Sequence, residues 1–387
     1  MPIHWANITK RPLATIRDFL RPYDVDVCVV GSGPFNLVRA IQELKTGQSV
    51  LILERQAFLG GAWAAQPCFG DGTLHDVVAH LMAPFPEAYE LLLRAGFVMR
   101  SRPVFFWDAS FTDEKRAALR RLADSDFHSI SSPKGHIMAW HQYYALEKAT
   151  ISLEEARREA NMQRQYFHQF KYLDKSFQPI IDRLVSEYLR LGGKFHLNYD
   201  VDMIHIDEKR VKLRSPCRKV IAKKLISGRH LDCDFCIENV KFFEKPLTND
   251  YNSLMIHVDC SSRPEMMYVN VVNHCKVGAF QVAPYGCGRE LEFVYCVIGS
   301  FDFAVLPRVA AQEIIQELNE AGLAKEVVEI RSAVYHRYRS QSHSSDYLSK
   351  IQGASTLVEI NIVNSISQSI AERSHDWADA LGSDVYA

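Results

Sequence analysis

The chain has 387 residues, 47% of them hydrophobic and 24% charged, enough for two domains or for one large domain with an insertion. Lys plus Arg (45) nearly cancel Asp plus Glu (46), and a net charge of −1 offers no electrostatic footprint for nucleic acid or an anionic membrane surface. Nine irregularly spaced cysteines argue against a disulfide framework, no apolar run approaches the ~18 residues of a membrane span, and residues 1–24 lack a continuous signal-peptide core. The expectation is a cytoplasmic protein with a surface-laid extension over 1–24, without nucleic-acid or membrane partners and with a homo-oligomer left open.

The first organised stretch is "DVCVVGSGPFN", residues 26–36. The β-branched run Val25 to Val30 predicts a strand buried on both faces. Gly31-Ser32-Gly33 follows as a turn, and Leu37, Ala40, Ile41 and Leu44 then recur at helical spacing until Gly47. "SVLILE" predicts a second buried strand that ends at Glu54. This strand, turn, helix and strand form a dinucleotide-binding unit. Gly31 permits the tight turn, and Gly33 lets backbone approach a pyrophosphate. The helix opening at Pro34, Phe35 and Asn36 aims its amides at that phosphate, while Glu54 accepts from ribose hydroxyls. Asn36 stands where such turns usually carry glycine or alanine, so the expectation is a displaced helix or an amide turned aside.

"ERQAFLGGAW", residues 54–63, resembles the signature of flavoproteins of the amine-oxidase and protoporphyrinogen-oxidase type. The resemblance implies FAD, with Glu54 on the adenosine ribose, Gly60 and Gly61 close to the cofactor, and Arg55, Ala62 and Trp63 as neighbouring contacts. "LHDVVAHLMAPFPEAYELLLRAGF" is similar to a segment of UDP-galactopyranose mutase. There a histidine stands beside the flavin, which makes His80 the matching residue, although Val78 replaces that family's glycine. His75 and His80 lack an acidic third ligand at useful spacing, so no metal is expected.

Residues 96–176 are polar and helical in tendency, with "SLEEARREANMQRQ" as a solvated helix. From Phe177 a helix runs to Gly192-Gly193. Phe195, Leu197, Tyr199 and Val201 then alternate as a strand, and "RVKL" supplies another. In the resembling flavoproteins such a strand ends in a valine on the adenine side of FAD, and Val201 is the matching position. Cys233 and Cys236 form a C-x-x-C without a helix start behind it, and they read as structural thiols. "LMIHVDC", "MMYVNVV" and "LEFVYCVIG" predict a sheet, and "VLPRVAAQEIIQELNEAGL" an amphipathic helix. In "YHRYRSQSH", Tyr335, Arg337 and Arg339 share one face of an extended run and suit an anionic group.

Near the end, Thr356 and Glu359 have capping-box spacing, and Ile360, Val363, Ile366 and Ile370 fall on one helical face. The resemblance implies that a loop holding Gly353 leads into this helix, whose amides near Glu359 and Ile360 meet the flavin.

The expected fold is α/β, with a discontinuous Rossmann-like FAD-binding domain (25–95, 190–245 and 340–387) and an inserted α+β substrate domain (96–189 and 246–339). The leading function is an FAD-dependent oxidase or dehydrogenase of a small amine-bearing or anionic substrate, with His80, Tyr335 and Arg337 as catalytic candidates. Two other readings stay open. A mutase acting on a nucleotide sugar is one, although "FVYCVIGSFDF" lacks the arginine that family carries in such a run. A flavin-fold binding subunit without catalysis is the other.

Overall fold

The computed structural model describes residues 22–77, 86–110, 130–132, 135–139, 169–173, 176–215, 219–228, 233–245, 247–264, 268–286, 290–361 and 366–382. The chain divides into two compact units, each assembled from three separate stretches. The first comprises Met1–Gly61, Ser186–Leu247 and Gln341–Ile362, and the second Ala62–Val185, Thr248–Ser340 and Val363–Ala387. The discontinuous α/β arrangement expected from the sequence is the one found. The first stretch of the first unit stops at Gly61 where the sequence reading carried it to 95, and residues from Val363 onward belong to the second unit.

In the first unit, the strand Tyr23–Val30 pairs in parallel with Val50–Leu53 on one side and with Lys219–Gly228 on the other. Val27, Cys28 and Val29 are almost wholly buried, as are all four residues of Val50–Leu53. A strand sandwiched on both faces needs this unbroken apolar run, and parallel pairing follows from the crossover helix Pro34–Lys45. The full sheet runs Val240–Phe242, Asp234–Ile237, Met203–Ile206, Val211–Arg214, Lys219–Gly228, Tyr23–Val30, Val50–Leu53, Lys194–His196.

The ten-residue strand Lys219–Gly228 is shared along its other edge. Its first half takes Val211–Arg214 in antiparallel register, and its second half takes Val358–Asn361 in parallel register. Val30, Ser227 and Ile360 therefore stand level at the carboxyl ends of three parallel strands.

Two sequence expectations give way here. Val358 and Ile360 are both buried in the core while Glu359 between them is half-exposed, so the pattern has period two and the segment is a strand with no capping box. Gly353, expected in a loop, lies near the end of the helix Ser345–Ala354, whose amides are capped by Ser344 Oγ accepting from Tyr347 N at 3.2 Å. The run expected to reach Val201 as a strand stops at His196, because Asn198 turns into the left-handed region with φ 55°.

The second unit holds a sheet in the order Val327–Ser342, Leu247–Cys260, Glu292–Gly299, Val277–Pro284, Tyr268–Val272, Met99–Asp108, Gly135–Ala139, Ile130–Ser132. Four of its strands, counting Gln169–Leu173 beside Met99–Asp108, come from the region read as helical in tendency. The segment "SLEEARREANMQRQ" lies outside the described residues. One face of the sheet buries Leu254, Ile256, Val258, Phe280, Tyr295 and Val297 against Ala311, Ile314 and Leu318 of the helix Pro307–Glu320. Alternation sends Met255, His257 and Asp259 to the opposite face, where Met255 packs with Tyr285, Val294 and Cys296.

Among the described residues, no helix is long and apolar enough to cross a membrane. The described cysteines, Cys233 and Cys236 included, form no disulfide.

Candidate functional site

The carboxyl edge of the first sheet gathers most of the residues singled out by the sequence. Gly31 turns with φ 85°, and its amide donates to Leu53 O at 2.8 Å, so the turn leaves the first strand while still bound to the second. The helix begins at Pro34 with Gly33 in the capping position, and no side chain caps its first amides. Those amides and the positive helix end remain directed at whatever occupies the turn. A Cβ added to Gly33 would meet nothing within 4 Å, whereas one on Gly61 would come to 3.9 Å from the Gly33 backbone. Open space therefore stands over Gly33 with the Gly60-Gly61 backbone at its side. Both glycines of that pair have positive φ (105° and 58°), a conformation most side chains avoid.

Glu54 is the fastener of this edge. Its side chain is buried, and Oε2 accepts from Ser32 N at 2.8 Å and from Ser32 Oγ at 2.5 Å, while Oε1 accepts from Gln56 N at 2.8 Å. Ser32 Oγ in turn accepts from Gly60 N at 2.9 Å. One carboxylate and one hydroxyl thus tie the first turn, the end of the second strand and the Gly-Gly pair into a single piece. In the sequence Ser32 stands as the spacer between two glycines. Its hydroxyl, able both to donate and to accept, is the signal it offers there.

Asn36 neither displaces the helix nor turns its amide aside. Its Nδ2 donates to Val30 O at 2.9 Å and to Gly31 O at 3.0 Å, satisfying two carbonyls where strand becomes turn. The small residue needed for close packing is supplied from another strand. A Cβ on Gly228 would lie 3.7 Å from Asn36 Nδ2. Helix-to-sheet closeness is kept by glycine across the sheet, and the helix position is free to carry an amide.

The remaining cofactor candidates are placed less uniformly. Pro34 is buried and Phe35 half-buried at the helix start, and Arg55 is exposed. Gly61, Ala62 and Trp63 form a short 3-10 turn, with the Trp63 ring 4.8 Å from that of Phe177. Val201 and Ile360 are buried in the core of the first unit, and Gly353 is exposed. Glu359 is held by Arg39, whose Nε and Nη2 donate at 2.6 and 2.9 Å, and by Lys224 Nζ at 2.9 Å; Lys224 also reaches Glu43 at 2.8 Å. Burial pushes the Glu359 carboxyl up, but the two cations outweigh it and hold it at about 2. Its side chain therefore pins the strand Val358–Asn361 to the helix Pro34–Lys45.

The catalytic candidates are His80, Tyr335 and Arg337. His80 lies outside the described residues. Tyr335 and Arg337 do share a face of the long strand Val327–Ser342: the Tyr335 ring is 5.0 Å from Phe303, and the Arg337 guanidinium lies 5.8 Å from the same ring.

A second cluster, not assembled by sequence reading, occupies the second unit. The rings of His257 and Tyr285 stack at 3.6 Å and 6°, and the His75 ring lies 4.9 Å from Tyr285. Tyr285 Oη donates to Asp71 Oδ2 at 2.5 Å; burial and this carboxylate push the phenol up to about 12. His75 Nε2 is buried without a hydrogen-bond partner, and burial drives the imidazole down to about 4, so the ring is neutral at neutral pH.

The carboxyl edge of the first unit has a Rossmann-like arrangement of strand, turn, helix and strand. Residues 29–95 match the family described as NAD(P)-binding Rossmann-like domain. Solved structures align along nearly the whole chain. A protein from Exiguobacterium sp. 255-15, provisionally named protoporphyrinogen oxidase, is 13% identical with a TM-score of 0.56, covering 94% of this chain and 97% of its own. NikD, an amino acid oxidase of nikkomycin biosynthesis, is 12% identical with TM-score 0.54, covering 94% and 95%. Putrescine oxidase bound to putrescine is 13% identical with TM-score 0.53, covering 94% and 98%. At these identities the likeness is one of fold. No curated protein matches the sequence.

Proposed function

We propose that the protein is an FAD-dependent oxidoreductase, an oxidase or dehydrogenase of a small substrate bearing an amine or an anionic group. The observation that carries this reading is the open cradle over Gly33, bounded by uncapped helix amides, the Gly61 backbone and a carboxylate already locked in place. The fit to FAD rests on the donor set. Backbone amides and a helix end suit a pyrophosphate, and Glu54 Oε1, with one protein donor shown, retains acceptor capacity for a ribose hydroxyl. FAD would supply the electron-pair acceptor for cleavage of a C–H bond next to nitrogen or carbon. The chain's own residues bind and orient it: Ser32 and Gln56 hold Glu54, and Asn36 holds the turn. Tyr335 and Arg337, on the aromatic face with Phe303, offer an anchor for an anionic substrate group. The name of putrescine oxidase, among proteins of this fold, favours the amine class.

The test is a visible spectrum of purified protein, followed by heat release of the chromophore and reduction with candidate amines. Release of FAD together with bleaching by an amine supports the reading. A colourless, folded protein that takes up no added FAD would leave a binding subunit without flavin chemistry in its place.

A further inference from the structure

The sheet face of the second unit opposite its helix carries three ligand-type side chains that the flavin reading leaves unused. His257 and Asp259 are two residues apart on Leu247–Cys260, and Glu292 stands on the neighbouring strand directly opposite Asp259. One donor atom from each lies within 4.8 Å of the other two. Two carboxylates set face to face across an antiparallel pair repel, and such a pair persists where positive charge offsets it. Arg331, on the strand flanking the other side, binds Asp259 Oδ2. That accounts for one oxygen. Asp259 Oδ1 is buried and has no hydrogen-bond partner, a costly arrangement for an ionised group.

His257 Nε2 lies 3.0 Å from Glu292 Oε2. That contact meets one oxygen of Glu292 and leaves Asp259 Oδ1 as it stands, whereas a cation among the three donors meets both carboxylates. The imidazole is also held in place by packing. It is 7% exposed and lies flat on the Tyr285 ring, and that ring is anchored through its hydroxyl to Asp71. Ligands bound about 2.1 Å from one ion sit roughly 3 to 3.5 Å apart. The His257–Glu292 spacing already meets this, and a rotamer adjustment of the carboxylates closes the remainder.

We propose that His257, Asp259 and Glu292 bind one divalent first-row cation of the Mn2+ or Zn2+ class, with Arg331 and Tyr285 orienting the ligands. One imidazole and two carboxylates suit these ions and include no thiolate. The proposal is independent of the flavin reading and stands or falls separately.

Chelator-stripped full-length protein would be titrated calorimetrically with MnCl2 and, separately, with ZnCl2. Mn2+ is included because it disfavours thiolates such as the exposed Cys275. The expected result is one equivalent of Mn2+ bound, weakened at least about tenfold in Asp259→Asn and Glu292→Gln, with a Tm rise on metal addition in wild type alone. These two substitutions are nearly isosteric, and circular dichroism verifies that they fold. His257→Ala serves as the larger deletion. Absence of saturable binding of either metal to wild-type protein, or equal binding by wild type and all three variants, would overturn the proposal and leave a charge-balanced ladder of side chains.

Discussion

The cradle of the first unit and the ring stack of the second solve opposite problems. The cradle is made of backbone amides, glycines, one carboxylate and one carboxamide, with the side chains bound to the turn and the first helix amides left uncapped. The stack is made of groups that gain and lose protons: His75 low, Tyr285 high, and an Asp71 carboxyl held at about 2, chiefly by the Tyr285 hydroxyl. A site that grips a ligand of fixed charge is well built from backbone amides, whose charge does not vary with pH. A site whose protonation can change is built from side chains partly withdrawn from water.

The contrast is open to breaking, starting where the effect is largest. Glu54→Ala strands the Ser32 amide and hydroxyl and the Gln56 amide in a buried setting. At about 1–3 kcal/mol for each orphaned donor that stays dry, we expect a loss near 3 kcal/mol in urea unfolding. A loss below about 1 kcal/mol would mean that the cradle is not held by its carboxylate. Asn36→Ala removes two amide bonds to carbonyls and should cost about 1–2 kcal/mol; an unchanged midpoint would show that Gly228 alone sets the helix position. Tyr285→Phe keeps the stack on His257 and deletes the hydroxyl that bonds Asp71, for about 1 kcal/mol.

The pH dependence sharpens the same division, as slopes in place of losses. His75 has a folded pKa of about 4 against an ordinary 6.5, so between these values the unfolded chain binds the proton that the folded one refuses. Stability therefore rises with pH through that window, and His75→Phe should flatten the slope there. Glu359, lowered to about 2 from 4.5, contributes stability that is complete above 4.5 and lost as pH falls towards 2. Glu359→Gln should flatten only that lower window. Unfolding midpoints measured across pH 2–7 separate the two, and a single window altered by both variants would show that the two groups titrate as one coupled system.

Much of the first unit was legible because its signals are local. The run Val25 to Val30, the glycine turn, the helical spacing after it and the acid at 54 all lie within one strand, helix and strand, and each obeys a short-range rule. The same habit misled near the C-terminus. Thr356 and Glu359 have helical cap spacing, yet Glu359 is spoken for by Arg39 and Lys224, brought to it by the fold from far away in sequence. Burial at alternate positions then won over the local pattern. The ring stack was illegible for the same reason. His75, His257 and Tyr285 are gathered by strand register and by the hairpin Gln66–Pro67 with Leu74–His75, neither of which a single sequence reveals.

The double grip of Asn36 on Val30 and Gly31, together with the Ser32 bridge to Gly60, has a consequence for the empty protein. A glycine-rich loop ordinarily surrenders its conformational freedom when the ligand arrives, at roughly 1–2 kcal/mol of entropy for each residue fixed. Here side chains impose that order beforehand. The apoprotein should therefore protect the amides of Gly31 and Ser32, which already donate to Leu53 O and to Glu54 Oε2, from hydrogen exchange nearly as well as the loaded form, and dinucleotide uptake should be quick and free of a slow rearrangement.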